Sequence, residues 1–135
     1  MAKELVNYQS SVPTNFNDSI SRSVSETPIS VALFGMTTFT SNTNVVLFGS
    51  VGLRSTLGTP EVLFKVIRDT AVIGSTLSSP IAAGEFFNVP ISFVDLNVPP
   101  GFHRYTLTAE LTTSSVTTNA DIVGPVTFTG LAITT

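Results

Sequence analysis

A chain of 135 residues is long enough for one domain with a real core and too short for two ordinary ones. Only 11% of its residues are charged, the net charge is −3 and the six Lys and Arg are scattered, which excludes the basic footprint of a nucleic-acid binder or of a protein held on an anionic membrane. Cysteine is absent, which removes disulfides, thiol nucleophiles and thiolate metal sites together.

The start, MAKELVNYQSS, has no apolar stretch of the kind a secretory signal needs. No apolar run approaches the roughly 20 residues of a membrane helix. Synthesis as a cytosolic chain is therefore expected. Residues 7–28, NYQSSVPTNFNDSISRSVSETP, are dominated by Ser, Asn, Thr and Pro. They read as an extended polar arm, so the chain divides into an arm over 1–28 and a β-sandwich domain over 29–135. Within the arm, Leu5, Val6 and Tyr8 are spaced to lie on a strand. Such a strand can extend a sheet edge of a neighbouring copy, the reading preferred here, or of its own chain.

From Ile29 onward, short segments rich in Thr, Val, Ile and Phe alternate with turn signals, which is the pattern of strands. In ISVALF (29–34), alternation puts Ile29, Val31 and Leu33 on one face. VVLFGSVGLR (45–54) is apolar on both faces at its start, and its Gly49 and Gly52 mark a bulge or a close backbone approach. EVLFKVIR (61–68) turns Val62, Phe64 and Val66 to one face and Leu63 and Ile67 to the other. AVIGSTL (71–77) follows after a very short turn. FFNVPISFV (86–94) carries Phe87, Val89, Ile91 and Phe93 on one face, with Pro90 marking an edge or a bulge. FHRYTLTAEL (102–111) alternates cleanly, and IVGPVTFTGLAIT (122–134) closes the series. Seven strands, or eight if the arm adds one, predict an antiparallel β-sandwich of jelly-roll or immunoglobulin-like type.

The hairpin at VIRDTAVIG poses a local problem. Two-residue hairpin turns need positive φ, and β-branched Thr70 resists it. The pair Arg68-Asp69 reads as a solvated hairpin tip.

Candidate chemistry is sparse. The single histidine, His103, shares the face of Tyr105, Leu107, Ala109 and Leu111 and has no carboxylate neighbour of matching parity. It reads as a structural or rim residue, not as a general base. Tyr105, four residues after Gly101, fits either a tyrosine-corner bond to nearby backbone or a core-edge tyrosine with its hydroxyl in water. No residues are assigned to catalysis, to a metal or to a cofactor. One His and no Cys do not compose the usual zinc sets, and no calcium-loop pattern occurs. No enzymatic activity is expected. The low charge and two-sided apolarity instead suggest surface buried in an assembly, with Leu5, Val6, Tyr8, Leu63 and Ile67 as candidate contact residues.

Three segments carry a family resemblance: GTPEVLFKVIRDTAVI (58–73), NVPPGFHRYTLTAEL (97–111) and IVGPVTFTGLAI (122–133). Together they resemble exosporium protein C, across roughly residues 29–133. The chain departs from that pattern at Thr70, where a glycine is expected after Arg-Asp. The resemblance implies a structural, self-associating component of the outer layers of a bacterial endospore. Its implied partners are further copies of itself, as an oligomer, fibre or lattice, and other proteins of the spore layers. A ligand-binding jelly-roll module, lectin-like or receptor-binding, is the alternative.

Overall fold

The computed structural model describes residues 3–79, 84–112 and 118–134. These form nine strands and no helix: β1 (Glu4–Thr14), β2 (Arg22–Val24), β3 (Ile29–Thr38), β4 (Thr43–Leu57), β5 (Val62–Arg68), β6 (Ala71–Ser78), β7 (Phe86–Val98), β8 (Gly101–Leu111) and β9 (Asn119–Thr134). One sheet has the order β1-β9-β4-β7, with β2 pairing β9 beyond β1; the other has the order β3-β8-β5-β6. All pairings are antiparallel, and those that build the roll nest. β5 pairs β6, β4 pairs β7, β3 pairs β8 and β1 pairs β9. The chain is thus one long hairpin rolled up around the β5–β6 turn, which is the jelly-roll arrangement and not the immunoglobulin-like one.

Each sheet turns one set of alternating side chains inward. Val45, Leu47, Val51 and Leu53 of β4, Ile91 of β7 and Val126 and Phe128 of β9 meet Phe34 and Met36 of β3, Phe64 and Val66 of β5, and Tyr105 and Leu107 of β8. Fully burying one such side chain contributes about 1.5–3 kcal/mol, so this layer dominates the fold. The expected inward faces of β5 and β8 are the observed ones.

Other expectations change. The polar segment set apart as an arm supplies two strands of the first sheet, because an edge strand needs only backbone partners and tolerates Ser, Asn and Gln on its open side. Leu5 lies opposite Ile133 and Tyr8 opposite Leu131, so the pairing is made within the chain. In β3 a register shift between Ser30 and Ala32 reverses the alternation. Val31 and Ala32 are both buried, Phe34 and Met36 follow inward, and Leu33 is left outside at 50% exposure. Gly49 and Gly52 are places of close approach: a Cβ on either would run into the carbonyl oxygen of Thr127 or Gly124 on β9.

The β5–β6 turn also resolves. Of its two central residues only Asp69 has positive φ, at 56°. That is the φ pattern of a type II′ turn, which leaves Thr70 unstrained.

Candidate functional site

Two regions carry the polar chemistry and the unusual surface. The first is one end of the sandwich, where the β5–β6 turn, the β7–β8 turn and the end of β3 meet. Asp95 of β7 continues the inward series of Phe93 and Ile91 and is buried. Arg68, the last residue of β5, follows Phe64 and Val66 inward. Its Nη1 donates to both carboxylate oxygens of Asp95, at 2.8 and 2.7 Å. The Tyr105 hydroxyl of β8 donates to Asp95 Oδ2 at 2.8 Å. One carboxylate from the first sheet therefore ties down two donors from the second.

Burial works against the Arg68 charge, yet the hydrogen bond and charge of Asp95 hold its pKa above the ordinary value. Burial, with Asp95 alongside, pushes the Tyr105 phenol up. The expected alternatives for Tyr105 both fail: its hydroxyl meets neither backbone nor water, but a carboxylate. Arg68 is likewise no solvated tip.

His103 sits beside this pair. Its Nδ1 lies 2.8 Å from Asp69 Oδ2, and its Nε2 lies 2.6 Å from the Pro99 carbonyl oxygen. That carbonyl also accepts from Thr38 Oγ1 at 2.7 Å. Asp69 is held further by the Arg104 backbone N–H, which donates to Oδ1 at 3.0 Å, and its own N–H donates to the Arg104 carbonyl at 2.7 Å. The carboxylate partner that sequence parity did not supply comes from the turn, 34 residues away. A His–Asp pair is half of a nucleophile-activating relay. Here each ring nitrogen is already turned to an oxygen of the protein, so neither points into open space where a substrate would lie. The arrangement clamps the β5–β6 turn and the Pro99-Pro100-Gly101 turn to the start of β8. Among the described residues no three His, Asp or Glu side chains gather in a metal-holding group.

The second region is the outward face of the first sheet. Directly opposed residues on antiparallel strands point to the same side. Tyr8, Leu131, Val46 and Val94 are opposed in turn across β1, β9, β4 and β7, and so form one apolar row. Leu5 and Ile133 form a second row at one flank, and Phe48 stands at the other. Tyr8 is 63%, Val94 54% and Phe48 43% exposed. The remaining outward positions, Ser10, Thr129, Ser50, Thr127, Ser92 and Pro90, are uncharged. Arg54 and Asp121, opposed to each other, lie at its far end, and exposed Lys3 precedes Leu5 at the near end.

The outward face of the other sheet differs. Lys65 and Glu110 form an ion pair there at 2.9 Å, and Arg104 stands exposed. Of the expected contact residues, Leu5 and Tyr8 therefore fall on the uncharged face. Val6 lies in the register shift between Leu5 and Asn7. Leu63 and Ile67 are half-buried on the opposite, charged face, so the structure does not bring the five together.

No family model and no curated protein matches the chain. Among solved structures, a chain of infectious bursal disease virus, Gt strain, superposes with a TM-score of 0.56 at 7% identity, over 94% of this chain and 36% of the viral one. This chain spans about a third of the viral chain's length. The carbohydrate-binding module CBM36, solved in complex with calcium and xylotriose, aligns at 14% identity with a TM-score of 0.39, over 93% of this chain and 99% of the module. At 7% identity the likeness to the viral chain concerns the fold alone: an all-β sandwich of two antiparallel sheets.

The Asp69 clamp has a pH signature. The hydrogen bond from His103, and after it that from the Arg104 N–H, lower the Asp69 pKa below its ordinary 3.8. A carboxylate depressed on folding stabilises fully above its unfolded value, and that contribution is lost as pH falls through the lower folded one. Asn tolerates the positive φ of this turn position, so Asp69→Asn isolates the charge. The wild type is expected to melt above Asp69→Asn at pH 5. The gap should close as the pH is taken below about 4, read by thermal unfolding of both proteins across that range.

Proposed function

We propose that the chain is a non-catalytic structural subunit that associates with copies of itself. The sequence resemblance to exosporium protein C supports a place for it in the outer layers of a bacterial endospore. The observation that carries the self-association is the uncharged outward face of the first sheet. Exposed apolar side chains scattered singly are ordinary, whereas Tyr8, Val94 and Phe48 are gathered with Leu131 and Val46 on one face, the arrangement that marks an interaction surface. The partner that this face fits is a second copy of itself. A face whose centre carries no charge offers little to a basic or acidic partner, while two such centres meet without like-charge repulsion.

Charge placed in the middle of the face tests this. Val46 lies between Leu131 and Val94, and its side chain points away from the core. Val46→Glu should leave the sandwich folded, with unchanged circular dichroism. In a face-to-face pair it would bring carboxylates together in a dry contact, a juxtaposition that costs several kcal/mol. By size-exclusion chromatography and negative-stain imaging, wild type should form large assemblies and Val46→Glu should not. A wild type that stays monomeric at every concentration, or a variant that assembles as far as wild type, refutes the proposal.

A further inference from the structure

A contact in which the same face meets itself closes a dimer and stops there. A fibre or lattice needs a second contact elsewhere on the subunit. The sheet edges are where backbone donors and acceptors remain open, and the chain treats its edges differently. β1 lies alongside β3 and is tied to it by Asn7 Nδ2 donating to the Thr37 carbonyl at 3.2 Å, so these two edges cover one another. β7 carries Pro90 near its middle, which has no N–H to offer a further strand. β6 is covered more lightly, by the Phe93 ring of β7 packed against Gly74. Its sequence, AVIGSTLS, has no proline and no charge. The second sheet ends at β6, and among the described residues no strand pairs its far side. Val72 is 56% and Leu77 53% exposed. An open, uncharged edge strand without proline is a template for pairing.

We propose that the free edge of β6 is a second self-association contact, at which Val72–Ser78 pairs antiparallel with the same segment of a second copy about a two-fold axis through Ser75. This rests on the self-associating reading above and adds the contact that makes it propagate. The faces require the axis to pass through a residue, and Ser75 is taken as the one near the middle of the strand. Gly74 and Thr76 lie opposite the core residues Val66 and Phe64, so both point inward, while Ser75 lies opposite Lys65 and points outward. A two-fold through Ser75 sets Gly74 against Thr76 and joins inward side to inward side. The nearest charge, Lys65, is one strand away and already paired with Glu110 at 2.9 Å, so the copies do not repel. Two different two-fold contacts on one subunit generate an open chain of subunits.

The absence of native cysteine makes the test direct. In the Val46→Glu background, Ser75→Cys should be linked into dimers by a short bis-maleimide, and Ser30→Cys, exposed on β3, should not. Val46→Glu alone should stop at edge-linked dimers. Ser75→Pro alone should stop at face-linked dimers, and the two together should be monomeric. Ser75→Glu keeps the backbone donors and sets two carboxylates opposite one another, and it should also stop at dimers if Ser75→Pro fails to fold. A wild type that polymerises while Ser75→Pro and Ser75→Glu polymerise equally overturns the edge contact and leaves the face contact standing. A Val46→Glu protein that is monomeric and unlinked at Ser75→Cys overturns β6 self-pairing and leaves that edge to a strand of another protein. A monomeric wild type overturns both readings.

Discussion

Asp95→Leu is expected to lower the free energy of unfolding by about 3 kcal/mol, the lower end of the range for breaking a buried ion pair. Asp95 is 7% exposed and accepts from Arg68 and Tyr105, both of which reach it from the opposite sheet. Leucine fills the volume but leaves the guanidinium and the phenol without a partner. The Arg68 side chain is 21% exposed, so water recovers part of its solvation, and the cost falls short of that of a fully buried charge. Tyr105 is completely buried, and its hydroxyl has no such relief. The double variant Arg68→Met/Asp95→Leu should recover only the guanidinium's share of the loss, because an apolar pair can replace a buried ion pair at little cost while the buried Tyr105 hydroxyl still lacks its acceptor. Urea unfolding midpoints of the three proteins check this. A single variant within about 1 kcal/mol of wild type would mean that Arg68 leaves the pair for solvent at no cost.

Part of this cluster was legible in the sequence and part was not. Alternation placed His103, Tyr105 and Leu107 inward, and all three are buried. The same alternation, carried two residues past Phe93, turns Asp95 into the core. Carried two past Val66, it does the same for Arg68. A carboxylate and a guanidinium on inward positions of different strands need each other, and that signal was present. The His103–Asp69 contact had no comparable signal, since it depends on where a turn points its first residue. Positive φ at Asp69 sets that direction, and no periodicity encodes it. The β3 register shift is a similar case: one added residue exposes Leu33 and buries Ala32, while the apolar letters read the same either way. The nesting of the strands was also hidden. It is a property of long-range pairing, which a list of strands leaves open.

Phe128→Ala is expected to have the largest effect of any single truncation, about 3–5 kcal/mol. Phe128 of β9 is fully buried near the middle of the first sheet. Its ring lies 5.0 Å from Phe34 at a 48° tilt, and Phe34 in turn stacks on Tyr105 at 5.5 Å and 29°. These three rings span both sheets. Phe34 is seated by Gly130, where a Cβ would collide with the ring tip. Phe34 therefore cannot advance freely to fill the space left by Phe128, and a cavity should persist. The Phe34–Phe128 ring contact is lost too, at about 0.5–1.5 kcal/mol beyond the buried area. For a chain of this length the sum corresponds to a fall in melting temperature of roughly 10–20 °C. Phe128→Leu should cost clearly less, since it keeps most of the volume and loses only the ring contact. Differential scanning calorimetry of the two variants separates the terms. Equal shifts would assign the cost to the aromatic contact, and a small shift for alanine would mean that the two sheets close over the gap.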